Sequence, residues 1–191
     1  MILSLAFISL GMSASLGMVY NLTKGPIEQA NKAKEVSAIK EVLPTFDNDP
    51  TTSARTIDGL TLYTGMNAET TVGVAVKTFT EKGFSGRFDL MVGFLPDGTI
   101  ENVSVLDQKE TPGLGTKMKD DKFKNQFLGK NPGKFKMLVK KDGGEVDAIT
   151  AATISSRAYC DALQKAYDLW VKEGNEAAPL NNSDSTKGEK K

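Results

Sequence analysis

The first 23 residues, MILSLAFISLGMSASLGMVYNLT, carry no charged side chain. A helix needs about 20 apolar residues to cross a bilayer, whereas the apolar part of a cleaved signal peptide is only about 7–15 residues long. The run is therefore expected to be a transmembrane helix over residues 1–23. A signal peptide is the alternative, but the usual basic flank is missing. Small residues recur four apart, at Gly11 and Ser15 and again at Ser13 and Gly17. In a membrane that spacing lets another helix come close, which points to contact with other membrane subunits. Ordinary small-residue content is the plainer reading. The flanking charges are balanced, so they do not set an orientation.

The rest of the chain divides by changes of period. Gly25-Pro26 marks a boundary, with Pro26 suited to the first turn of a new helix. Ile27, Ala30, Ala33, Val36, Ile39 and Leu43 fall on one helical face, and Pro44 stops the pattern. This predicts a juxtamembrane helix over 24–44. Residues 45–58 are polar and read as a loop. In TTVGVAVKTF and GRFDLMVGFL the apolar residues alternate, which predicts half-buried antiparallel strands. Pro96-Asp97-Gly98 is a turn, and TIENVSVL is the next strand. Phe123 and Phe127 sit one helical turn apart in a helix over 119–129. KFKMLVKKDGGEVDAIT reads as strand, turn, strand. The last helix starts near Ser155 and carries Tyr159, Leu163, Ala166 and Trp170 on one face. The expectation is an α+β domain over 45–173, an antiparallel sheet with helices packed on it, and a disordered tail over 174–191.

Two absences narrow the chemistry. The chain has no histidine, and its one cysteine is Cys160. Histidine-based triads, histidine-ligated metals, an intrachain disulfide and four-cysteine clusters are all excluded from this chain alone. Cys160 falls within a helical stretch and reads as a small buried apolar residue. With 24 basic and 24 acidic residues, the formal net charge is zero. That argues against nucleic acid, which calls for a concentrated basic face. Any redox chemistry must use an organic cofactor.

Three stretches stand out. In DAITAATISS, residues 147–156, Thr150, Thr153, Ser155 and Ser156 crowd around Ala151 and Ala152 just before a helix. They make a helix cap or, with free amides and the positive end of the dipole, a phosphate site. In ETPGLGTK, Glu110 to Lys117, Gly113 and Gly115 permit close backbone approach to a flat ligand or a phosphate. Thr111, Pro112, Leu114, Thr116 and Lys117 surround them. An ordinary turn is the simpler reading. TEKGFSGRF reads as a hairpin.

DAITAATIS resembles the flavinylation motif of extracytoplasmic FMN-binding domains, and Ala151 stands where that motif usually has glycine. KGFSG and ETPGLG resemble the same family's glycine-rich stretches. The resemblance spans residues 1 to about 173. It includes the G subunits of Rnf-type ion-translocating electron-transport complexes and, second, the usually longer C subunits of sodium-translocating NADH:quinone reductases. It implies FMN carried through a phosphoester on Thr153. Thr150, Ala151, Ala152, Ser155, Ser156, Glu110, Thr111, Pro112, Gly113, Leu114, Gly115 and Lys117 would surround the flavin, and neither a catalytic residue nor a metal is implied. It further implies an electron-relaying subunit of a translocase that passes electrons between ferredoxin and NAD. Its partners would be the other membrane and peripheral subunits and a flavin transferase. Its domain would face outside the cytoplasm, on a single-pass anchor in the cell's inner membrane. Asp147 has three open roles: recognition by the transferase, metal binding during attachment, or capping a turn. A rival of another class is a non-redox, membrane-tethered binding module in which TAATISS only caps a helix.

Overall fold

A computed structural model of the chain describes residues 2–174. Of the tail expected over 174–191, Gly174 falls in a helical turn, and the rest lies outside the described residues. The first helix, α1, runs Ile2–Val42, and Pro26 lies inside it. The boundary expected at Gly25-Pro26 is therefore not a break in the helix. Proline removes one backbone bond, and helix-forming residues on both sides carry the turn through. Residues Leu5–Val42 hold one stretch long and apolar enough to cross a membrane, with mean hydropathy 1.4. The chain divides into two compact units, Met1–Ser37 and Ala38–Lys191. The last turn of α1 thus belongs to the folded unit.

Five strands form that unit's sheet: β1 (Arg55–Ile57), β2 (Leu60–Asn67), β3 (Thr70–Gly83), β4 (Gly86–Phe94) and β5 (Ile100–Asp107). They lie in sequence order, each antiparallel to the next. Alternation singles out β3, β4 and β5. The expected loop over 45–58 ends instead in β1, and β2 follows directly. A register shift at Gly65/Met66 interrupts the side-chain pattern of β2. β3 and β4 are also more than half-buried. Val74, Val76, Leu90 and Val92 point into one core, while Ala75 and Met91 point into a second core on the opposite face.

The second core is closed by the end of α1. Ala38, Ile39, Val42 and Leu43 pack on Tyr63, Ala75, Met91 and Leu106. A Cβ at Gly93 would overlap the Val42 carbonyl, so glycine is what lets the helix end reach β4.

The other face carries α3 (Thr153–Leu169). Thr78 Oγ1 donates to the Ala162 carbonyl at 3.0 Å, and Thr80 Oγ1 donates to Asp161 Oδ2 at 3.0 Å. These bonds fix the helix along β3. Between β5 and α3 the chain is mostly irregular. The helix expected over 119–129 is reduced to α2 (Asp121–Lys124), followed by tight turns that end at Gly129 with φ +70°. Phe123 and Phe127 still meet, with ring centres 5.3 Å apart. The strand pair expected in 135–150 does not form. A 3₁₀ turn at Lys140–Asp142 and one parallel bridge between Val139 and Val146 take its place. Met137, Val139 and Val146 are drawn into the core, and that burial decides the path instead of the ladder. After α3 comes a π-helical turn, Trp170–Gly174.

Candidate functional site

The three glycine- and hydroxyl-rich stretches meet at one place. A cavity of about 310 Å³ is lined by Phe84, by Glu110, Thr111, Leu114 and Gly115, and by residues 151–155. The β3–β4 hairpin, the loop after β5 and the start of α3 each supply one wall.

Glu110 ties the three together. It is 4% exposed. Its carboxyl accepts from the Ser85 amide at 3.2 Å and from Ser155 Oγ at 2.9 Å. Its own amide donates to Gln108 Oε1 at 2.6 Å. A buried carboxyl without such partners would be costly, so the bonds fix where the three segments sit. Gly115 packs directly on this junction. A Cβ there would lie 2.6 Å from Glu110 Oε2 and 2.8 Å from Ser155 Oγ.

The start of α3 answers what the crowded hydroxyls do. The residue before the helix is Ala152, which has no side chain able to cap it. Ser155 is engaged by Glu110. Ser156 Oγ accepts from the Ile149 amide and donates to the Ala152 carbonyl, both at 2.9 Å. Neither serine caps the helix. Among the described residues the amides of Thr153, Ile154 and Ser155 make no hydrogen bond, and neither does the half-buried Thr153 hydroxyl. A helix N-terminus left open in this way favours a bound anion. Ala151 has φ +61°, in the left-handed region that favours glycine.

The other expected residues lie apart. Thr150 and Lys117 line a neighbouring cavity of about 520 Å³, together with Asp147 and Gln126. Asp147 is exposed and pairs with Lys140 Nζ at 2.7 Å, and its amide donates to Gln126 Oε1 at 2.7 Å. Pro112 and Gly113 are exposed and line neither cavity; Gly113 has φ +74°. Leu114 and Gly115 form the wall instead. Phe84 and Ile154 line the site although neither is among the candidates drawn from the sequence. Phe84 sits in what reads as an ordinary hairpin, and Ile154 at a motif position that tolerates any residue. Their signal is exposure, 67% for Phe84 and 48% for Ile154, which is high for large apolar side chains. Arg157 lies one helical turn beyond Thr153 and is held by Asp142 through two bonds of 2.7 and 2.8 Å. The hydrogen bonds and charge of Arg157 hold the Asp142 carboxyl below its ordinary range. Cys160 is buried, and burial pushes its thiol up to about 12, as suits an inert core residue.

An uncapped helix N-terminus, a small-residue turn before it and a slot with glycine on one wall make a place for a flat ligand that carries a phosphate. Residues 83–168 match the family described as FMN-binding domain. Over nearly the whole chain, the protein is similar to three proteins named as the G subunit of an ion-translocating oxidoreductase complex. The one from Shewanella baltica is 30% identical, covering 93% of this chain and 92% of the relative. That from Pasteurella multocida is 34% identical, covering 85% and 88%. That from Methanosarcina acetivorans is 32% identical, covering 87% and 91%. The chain belongs to the family of G subunits of ion-translocating oxidoreductase complexes. Among solved structures, the C subunit of the Na(+)-translocating NADH-quinone reductase from Parabacteroides distasonis aligns at 23% identity. It covers 70% of each chain, with a TM-score of 0.46.

Proposed function

We propose that this chain carries FMN through a phosphoester to Thr153 Oγ1 and serves as an electron-carrying subunit of an Rnf-type ferredoxin:NAD ion-translocating complex. The supporting observation is the contrast within one helical turn: Ser155 and Ser156 are engaged, while Thr153 keeps a free hydroxyl beside open amides. FMN, when bound, supplies the redox chemistry, which suits a chain without histidine and with an inert cysteine.

The chain's own residues then have distinct tasks. The amides at the start of α3 hold the phosphodiester's remaining negative charge, which the dipole stabilises by about 0.3–1 kcal/mol. Phe84, Leu114 and Ile154 keep water from an apolar ring. Glu110, through Ser155, sets the position of the helix start. Ala151 and Ala152 leave the approach to Thr153 open. Thr150 and Lys117 face the neighbouring cavity and contribute less.

In this reading residues 1–23 are the single membrane crossing and the segment over 24–44 leads into the flavin domain. That domain stands on the extracytoplasmic side of the inner membrane, where a flavin transferase makes the phosphoester. The other subunits of the complex exchange electrons with it.

Co-expression with a flavin transferase on the same side of the membrane tests the assignment. Thr153→Ala is expected to lose in-gel flavin fluorescence and the added mass while still folding and inserting. Thr153→Ser keeps part of the attachment, because the nucleophilic oxygen remains, and Thr150→Ala keeps most of it. Peptide mapping that puts the flavin on Thr150 or Ser155 would overturn the site. A native protein without flavin would overturn the function.

A further inference from the structure

A second, larger cavity borders the flavin site. Its volume is about 830 Å³, and it opens between residues 132–142 and the stretch of α3 from Ile154 to Gln164. Ile154 lines both cavities. The floor is apolar, with Phe135, Met137, Val139, Ala158 and Cys160. These side chains offer a ligand contact area and little that is directional.

The exposed apolar side chains of the folded unit are concentrated here. Among its described residues the large exposed hydrophobics are Phe84, Leu114, Leu138, Ile154 and Val171. All but Val171 line one of the two cavities. FMN on Thr153 would account for Phe84, Leu114 and part of Ile154. Leu138, 44% exposed, lies beyond its cavity. The patch therefore continues from the flavin's edge into a surface that the flavin does not use.

The rim gives the charge of what fits. Lys82, Lys134, Lys136 and Arg157 line the cavity against two acids, Asp142 and Asp161. Both acids are occupied: Asp142 by Arg157 at 2.7 Å, and Asp161 by Lys82 at 2.6 Å and Lys165 at 2.9 Å. Lys134 and Lys136 close no salt bridge among the described residues, although Lys134 lies within electrostatic reach of Asp97. An apolar floor under two such lysines is complementary to an apolar knob framed by carboxylates.

We propose that this cavity is the docking surface for another subunit of the same complex, through a segment that places an apolar side chain on the floor and Asp or Glu against Lys134 and Lys136. The assignment rests on the proposed function only for why a partner should approach at the flavin's edge. An electron-transfer contact of this kind is small and depends on charge for its encounter rate.

A photo-cross-linking residue placed at Leu138 in the full chain, within the complex assembled in its native membrane, tests it. The expected product is a cross-link to an Asp- or Glu-containing segment of another subunit. Its yield should fall about tenfold in Lys134→Glu/Lys136→Glu or at high salt. Both lysines are exposed, and an unchanged melting temperature shows that the double variant folds. A cross-link to the same chain, to a second copy or to lipid overturns the docking surface. So does no cross-link, or a yield indifferent to charge reversal. In-gel fluorescence of the same samples separates the two readings. A flavin-free chain that still gives the acidic cross-link sinks the Thr153 assignment and leaves the docking surface standing.

Discussion

The two faces of the sheet are covered in different ways. On one, the end of α1 lays Ala38, Ile39, Val42 and Leu43 over Tyr63, Ala75, Met91 and Leu106. On the other, α3 and the loop after β5 bury Thr78, Thr80, Glu110, Ser155 and Ser156 among the apolar side chains. Apolar area is forgiving, because burial favours contact without prescribing direction. A buried hydroxyl or carboxyl is exacting, because it must meet its partner within hydrogen-bond reach or cost stability. The polar cover is where the open helix end and its cavity sit. Buried directional bonds set position there, whereas on the opposite face apolar area is the buried contribution and the bonds from Asn102 Nδ2 to the Glu41 carbonyl and from Ser104 Oγ to Glu41 Oε2, at 3.0 and 2.8 Å, lie at its exposed edge.

The largest effect should come from the apolar side. Ile39 is 1% exposed. Ile39→Ala removes buried area and leaves a cavity, a loss of about 2–5 kcal/mol. Denaturant unfolding should show this loss, while the fraction that still folds takes up flavin as the unaltered chain does. Selective loss of flavin at unchanged stability would break the division between the two faces.

Glu110→Ala probes the polar side and should cost less stability but more function. It leaves the buried Ser155 Oγ without a partner, about 1–3 kcal/mol, and leaves the amide of the exposed Ser85 to water. The start of α3 loses its tie to the loop, so flavin yield and fluorescence should fall well below what the stability loss alone explains. Glu110→Gln retains one acceptor oxygen and should recover part of both. If Glu110→Ala lowers stability but leaves the flavin's fluorescence and potential unchanged, the residue is ordinary core polarity and not a positioning group.

Much of the fold is legible in the sequence, and the parts that are not have physical reasons. The uncharged run, the alternation of β3 to β5 and the three glycine- and hydroxyl-rich stretches each depend on local pattern, which sequence displays. β2 escapes because a register shift at Gly65/Met66 interrupts its alternation. The segment over 135–150 has strand-like composition, but its path is set by burying Met137, Val139 and Val146 under α3. Glu110 stands within ETPGLG, yet its tie to Ser155, 45 residues away, is a fact of tertiary structure. The second cavity depends on that irregular segment and leaves no periodic mark.

The smallest effect is the most local. Ala151 holds φ +61° at the turn into α3, where the resembling motif usually has glycine. The left-handed region brings Cβ close to the following carbonyl, at a cost of about 1–2 kcal/mol for an L-residue. Glycine escapes that strain but gives back about 0.4–1 kcal/mol, because its unfolded chain has more freedom to lose. Ala151→Gly should therefore stabilise the domain by between roughly 0 and 1.6 kcal/mol, the difference of those two terms. A rise in unfolding midpoint at unchanged m-value would report it. Ala151 lines the cavity, so removing its methyl also opens the approach to Thr153, and flavin yield should hold or rise. A fall in stability would mean that the turn relaxes out of the left-handed region. The polar face would then be less tightly held than its hydrogen bonds imply.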